Sequence, residues 1–202
     1  MLIKKIQLPN DLNIELTTHA MNVLSHTELF TYDSTIIHPC IDCDDIFDPT
    51  IPGLSSDFIN NWDLTNIKWG GVDLQTNKCK KLSYVAFPPY ETSVKIIEFL
   101  ETEINKQLIR PTGNFLYPTG GYMGWHTNSN MPGYRVYLVY SPELYSSYFK
   151  YVDPITKEVI EDWDDIGWTA RLFKVDNHPH RFFWHAVHAV HNPRISYGYW
   201  FK

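Results

Sequence analysis

The feature that most constrains this chain is its second half. From Thr112 onward, short β-rich runs follow one another to the end. They are Asn114–Tyr117, Tyr122–Asn128, Tyr134–Tyr140, Tyr148–Val152, Glu158–Asp162, Thr169–Val175, Arg181–Val190 and Arg194–Phe201. Between them stand Pro132-Gly133, Asp153-Pro154, Gly167, Asn177 and Asn192-Pro193, whose restricted or permissive backbones favour turns. Eight short strands at this spacing predict a sandwich or jelly roll.

The first half supplies the α part of an α+β chain. Leu2–Leu8 reads as a strand ended by Pro9. Asn10 or Asp11 can cap a helix behind it, because a side-chain oxygen there accepts an orphan backbone N–H. Leu12, Leu16, Ala20, Val23 and Leu24 recur at helical spacing. Between Thr31 and Asn66 the periodic signal fades under Pro39, Pro49, Pro52 and Gly53, and a long surface excursion serving as a lid is expected. Lys81–Phe87 predicts a strand. Ser93–Leu108 predicts a helix with the apolar stripe Val94, Ile97, Leu100, Ile104 and Leu108. A chain of 202 residues fits one domain. Residues 1–111 are expected to support, and in part to cover, a core formed by 112–202, with the helices on one outer face.

Charge and cysteine usage narrow the function classes. A net charge of −6 gives no basic footprint for nucleic acid. Three cysteines, an odd number, argue against a disulfide framework. The start Met-Leu-Ile-Lys-Lys-Ile-Gln lacks a signal peptide's apolar core, and no run reaches transmembrane length. A cytoplasmic protein without membrane contact is expected. Oligomeric state leaves no mark on the sequence.

The chemistry concentrates in Tyr117-Pro-Thr-Gly-Gly-Tyr-Met-Gly-Trp-His-Thr-Asn128. This reads as a strand, a glycine bend and a second strand. On that strand His126 and Asn128, two apart, share a face. Such a pair can hold a metal ion with a second histidine from elsewhere, and Trp184-His-Ala-Val-His-Ala-Val-His191 offers three. Arg194 and Ser196 share a face of the last run. A guanidinium grips a carboxylate through two parallel hydrogen bonds, and a serine hydroxyl adds a third. Arg194 follows His185 by nine positions and His188 by six.

The ordered set Tyr-x-x-Gly-Gly, His-x-Asn, His and Arg-x-Ser resembles the iron(II)/2-oxoglutarate-dependent oxygenase superfamily. The fuller phrases around His126 and His185 resemble uncharacterised members encoded by marine bacteriophages, for which the location would be the host cytoplasm. The resemblance covers about residues 112–201. It implies a double-stranded β-helix (cupin-like) core, iron(II) as metal and 2-oxoglutarate as cosubstrate. His126 and His185 would be metal ligands. Arg194, Ser196 and Tyr117 would receive the cosubstrate's distal carboxylate. The spacing of nine favours His185 over His188 or His191 as second ligand, although either remains open. The implied activity is dioxygenase hydroxylation of an unactivated C–H in a protein side chain or a small molecule. The departure is Asn128, where the family has Asp or Glu. Asn128 either ligates through its amide oxygen, orients a water, or stands aside.

Two other classes compete: a non-catalytic jelly-roll module of phage type that retains a relic metal pocket, and a cupin-like metal enzyme without 2-oxoglutarate. Cys40-Ile-Asp-Cys43 with His38 is read as free thiols in a loop rather than zinc, with Cys79 alone. His178-Pro-His180 is expected in an exposed turn. Glu161, Asp162, Asp164 and Asp165 are expected as a solvated acidic turn.

Overall fold

The computed structural model describes residues 2–26, 79–80 and 82–202. The segment expected as a lid, Thr31–Asn66, and the Cys40–Cys43 pair lie outside the described residues.

The first described elements are strand β1 (Ile3–Ile6) and helix α1 (Asn10–Ser25). After short strands β2 (Cys79–Lys80) and β3 (Ser83–Tyr84) comes helix α2 (Tyr90–Ile104). Eight strands follow: β4 (Leu108–Tyr117), β5 (Tyr122–His126), β6 (Gly133–Ser141), β7 (Ser147–Val152), β8 (Val159–Trp163), β9 (Gly167–Val175), β10 (His185–Ala189) and β11 (Arg194–Phe201). They form two sheets, ordered β1-β9-β6-β11-β4-β3 and β2-β5-β10-β7-β8. Every pairing is antiparallel. From β4 to β11 the chain changes sheet at every link except the β7–β8 hairpin. The core is therefore β-sandwich or jelly-roll-like. No helix among the described residues is long and apolar enough to cross a membrane.

Period-two alternation divides each strand of the larger sheet between two cores. Leu116, Val136, Leu138, Ala170, Ile195, Tyr197 and Phe201 face outward and pack against Leu12, Leu16 and Ala20 of α1 and Ile96 and Leu100 of α2. The alternate residues face the other sheet: Tyr117 and Phe173 join Phe149, Phe183 and Val187 in a second cluster. Packing on both faces buries β11 almost throughout, its polar Arg194 and Ser196 included.

Several element limits differ from the sequence reading. Helix α1 begins at Asn10 behind Pro9, so neither Asn10 nor Asp11 caps it, and no side-chain cap bond is made. A proline at that point satisfies the helix start by lacking the donor and fixing φ. Helix α2 begins at Tyr90 behind Pro88-Pro89 rather than at Ser93, and it stops at Asn105, whose φ of 49° is left-handed. Its buried seam is Thr92, Ile96 and Leu100, and Leu108 opens β4 instead of ending the helix. Strand β4 thus crosses the expected 111/112 boundary. Lys81–Phe87 yields only the two-residue β3.

Candidate active site

Strands β5 and β10 run antiparallel with His126 directly opposite His185. Side chains directly opposite in such a pair share a face. The two rings lie 4.0 Å apart between centroids, tilted by 54°. The pairing contains an irregularity, because Val187 stands opposite Met123. Gly124 and Trp125 together therefore oppose Ala186, a β-bulge. The extra residue shifts the phase, so that Met123 and His126, three apart, both line one cavity. Strict alternation from Met123 would have turned Trp125 inward in place of His126.

Both imidazoles are fixed by the backbone. Nδ1 of His126 lies 2.8 Å from the Gly124 carbonyl, and Nδ1 of His185 lies 2.9 Å from the Phe183 carbonyl. A carbonyl only accepts, so each Nδ1 carries the proton and Nε2 carries the lone pair. His185 is fully buried. Burial, then electrostatic repulsion of a second positive charge beside His126 and Arg135, holds its pKa well below the ordinary histidine value against the Phe183 hydrogen bond. The ring is neutral at pH 7, as metal ligation requires.

Asn128 reaches the site by a route that alternation does not describe. Strand β5 ends at His126, and Asn128 has φ of 55°. The short polar side chain of asparagine tolerates this left-handed region. The turn, closed by a 3.0 Å bond from Met131 N–H to the Asn128 carbonyl, brings the amide back over the histidines. Its Nδ2 donates to Tyr137 Oη at 2.9 Å and to His185 Nε2 at 3.1 Å. The expectation that His126 and Asn128 share a strand face is thus corrected, although both line the cavity. No group of three His, Cys, Asp or Glu side chains converges among the described residues. The Asn128 amide is the third ligand-type group beside the two rings. Tyr137 itself escaped the sequence reading; its inward position on β6 was the available signal.

The other histidines lie elsewhere. His188, on the opposite face of β10 from His185, stands edge-on to Tyr122 at 6.2 Å and Tyr148 at 5.5 Å. Burial, then the neighbouring Lys150 and His191, pushes its pKa down to about 4. His191, His178 and His180 are exposed.

Arg194 is fully buried opposite Tyr117, with its guanidinium carbon 5.4 Å from that ring's centre. Its Nε donates to Asp164 Oδ2 at 2.9 Å. Its Nη1 and Nη2 find no hydrogen-bond partner among the described residues. Asp164 also pairs with Arg171 and accepts from the Ser147 hydroxyl at 2.5 Å. Arg171 in turn bonds Asp162 at 2.6 Å. The expectation of a wholly solvated acidic turn is therefore wrong for Asp164, which is fully buried. Burial raises the Asp164 carboxyl, but the Arg194 and Arg171 guanidiniums outweigh it and hold the pKa at about 2. Two arginines at inward positions of β9 and β11 demand a buried carboxylate, and Asp164 meets that demand.

The cavity measures about 190 Å³ and lies between the two sheets. Tyr117, Ser196, His126 and Asn128 line it, and Arg194 sits one strand pair beyond Ser196 at the Tyr117 end. Gly198 forms part of its wall; a Cβ there would stand 2.8 Å from Thr112 Oγ1 and 3.2 Å from a Tyr137 ring carbon. Two imidazoles with Nδ1 bonded to backbone carbonyls, and an amide, fit a divalent transition metal. Two unsatisfied guanidinium N–H groups fit a carboxylate. The six residues singled out in the sequence thus fall in one region: His126, His185 and Asn128 together, and Tyr117, Arg194 and Ser196 along β4 and β11.

No family model matches the sequence, and no curated protein matches it. Among solved structures the chain is similar to the crystal structure of a Pseudomonas putida prolyl-4-hydroxylase, with a TM-score of 0.51 and 11% identity over 99% of this chain and 91% of that one. At that identity the likeness concerns the fold alone.

Proposed function

We propose that this chain is an iron(II)- and 2-oxoglutarate-dependent oxygenase, built as one domain, that hydroxylates an unactivated C–H of a protein side chain or a small molecule. The observation that carries this reading is the opposed pair His126 and His185, lone pairs set by backbone carbonyls, beside a cavity lined by His126, Asn128, Tyr117 and Ser196, with the buried Arg194, bonded through Nε alone among the described residues, against the Tyr117 ring. The strand orders β4-β11-β6-β9 and β5-β10-β7-β8 support a double-stranded β-helix.

In this reading His126, His185 and Asn128 hold the metal. Arg194, with the Ser196 and Tyr117 hydroxyls, receives the distal carboxylate of the cosubstrate. Bound there, iron(II) with oxygen and 2-oxoglutarate supplies the oxidising power that no side chain possesses. The protein's part is placement. The carbonyls of Gly124 and Phe183 keep Nε2 of each ring unprotonated. Asp164 grips Arg194 through Nε and leaves its other two nitrogens for an incoming anion. Phe149 and Phe173, packed at 5.4 and 5.5 Å from the His185 ring, keep water from its far side.

One observation favours a second reading, a jelly-roll binding module that retains the pocket without catalysis. The third group is a neutral amide that turns its N–H toward His185. Metal stoichiometry separates the two. An oxygenase binds one divalent metal per chain, loses it in His126→Ala and His185→Ala, and keeps it in His188→Ala. Wild-type protein that takes up no metal supports the binding module.

A further inference from the structure

The Asn128 amide and the Tyr137 hydroxyl form a unit whose geometry has a direction. His185 Nδ1 donates to the Phe183 carbonyl, so His185 Nε2 can only accept. The atom facing it at 3.1 Å must therefore be the amide nitrogen of Asn128. In this orientation Asn128 caps the lone pair that a metal would take. A metal on His185 ends that hydrogen bond, and an N–H facing a cation is repelled. The amide then has reason to turn and present Oδ1. Few partners tolerate both orientations. A hydroxyl does, because it accepts from Nδ2 and donates to Oδ1. Tyr137 Oη sits 2.9 Å from the amide nitrogen. Its ring is pinned edge-on by Phe149 at 6.1 Å and Phe173 at 5.0 Å, so the hydroxyl stays in place while the amide rotates.

We propose that Tyr137 is a positioning residue for metal binding: its hydroxyl holds the Asn128 amide in the capping orientation without metal and in the ligating orientation with it. The proposal rests on the metal-site reading above. It selects one of the three roles left open for Asn128, ligation through the amide oxygen. Partners one step removed from a metal typically change affinity by about 10- to 100-fold when lost.

The test is a double-mutant cycle read by cobalt(II) titration of metal-free protein. Visible absorption reports both affinity and coordination. The variants are Tyr137→Phe, Asn128→Gly and the double mutant. Glycine removes the side chain and accepts the left-handed backbone at 128. Phenylalanine preserves the packing against Phe149 and Phe173, and an unchanged melting temperature verifies that. The expected result is a loss of about tenfold in affinity and an altered cobalt spectrum in Tyr137→Phe, with no further loss when that change is added to Asn128→Gly. Equal losses from Tyr137→Phe with and without Asn128 overturn the positioning role while leaving the metal site intact. Wild-type protein that binds no cobalt, or binds it equally well as His185→Ala, overturns the metal site and the positioning role together.

Discussion

A carboxylate clamped between two buried guanidiniums stabilises a fold only while it is ionised. The Asp164 carboxyl sits at about 2 in the folded chain, below its ordinary value of 3.8. Its contribution is complete above the unfolded value and disappears as pH falls from about 4 toward 2, on the order of 2 kcal/mol. His188 follows the same sign in a higher window. It is held neutral in the fold, with its pKa pushed from 6.5 to about 4, so stability falls as pH drops through that range. Urea denaturation from pH 7 to 2 should show both losses. His188→Phe should make the upper one shallower while the share of the likewise depressed His185 persists, and an unchanged slope there would remove His188 as a cause. Asn128 makes a third prediction at this scale. Asn128→Asp replaces a neutral amide by a carboxylate beside the metal position. Unit charges about 4 Å apart interact by about 4 kcal/mol at an effective dielectric near 20, so a gain of at least tenfold in iron(II) affinity is expected by calorimetry. Unchanged affinity would place Asn128 outside the ligand set.

At the scale of elements, helix α2 gives a sharp comparison. Its buried seam is Thr92, Ile96 and Leu100, whereas Val94 from the stripe read in the sequence is only half-buried. Ile96→Ala should cost about 2–5 kcal/mol in chemical denaturation, and Val94→Ala under about 1 kcal/mol. Equal costs would mean that the helix is rotated from the position described. The sequence misled here because apolar residues 94, 96, 97, 99, 100 and 104 span more than one face, and the sheet decides which of them it receives. Strand β11, by contrast, was legible, since Pro193 precedes a run rich in aromatic and β-branched residues. The β5 bulge was not legible. An extra residue exists only relative to a partner strand, and sequence alone does not supply the register. The pairing of His126 with Asn128 was therefore expected for the wrong reason: a turn at φ 55° brings them together, not strand alternation.

For the whole molecule, eight strands with turn residues between them pointed to a jelly-roll-like core, and the helices cover one outer face as anticipated. What the pattern withheld was charge buried in that core. Asp164 lies in an acidic run that reads as solvent-facing, and only the approach of β9 and β11 shows that Arg171 and Arg194 need it. The candidate site was legible because its members are chemically rare at inward strand positions: two histidines, an arginine and a serine, distant in sequence and set on neighbouring strands. Their joint purpose is most directly tested by anaerobic titration of iron(II)-loaded protein with 2-oxoglutarate, followed in visible absorption. The expected result is a saturable charge-transfer band, one equivalent per chain, absent in His185→Ala and shifted to much higher 2-oxoglutarate concentration in Arg194→Met. Iron-loaded wild-type protein that develops no band at any concentration of the diacid would contradict the oxygenase reading.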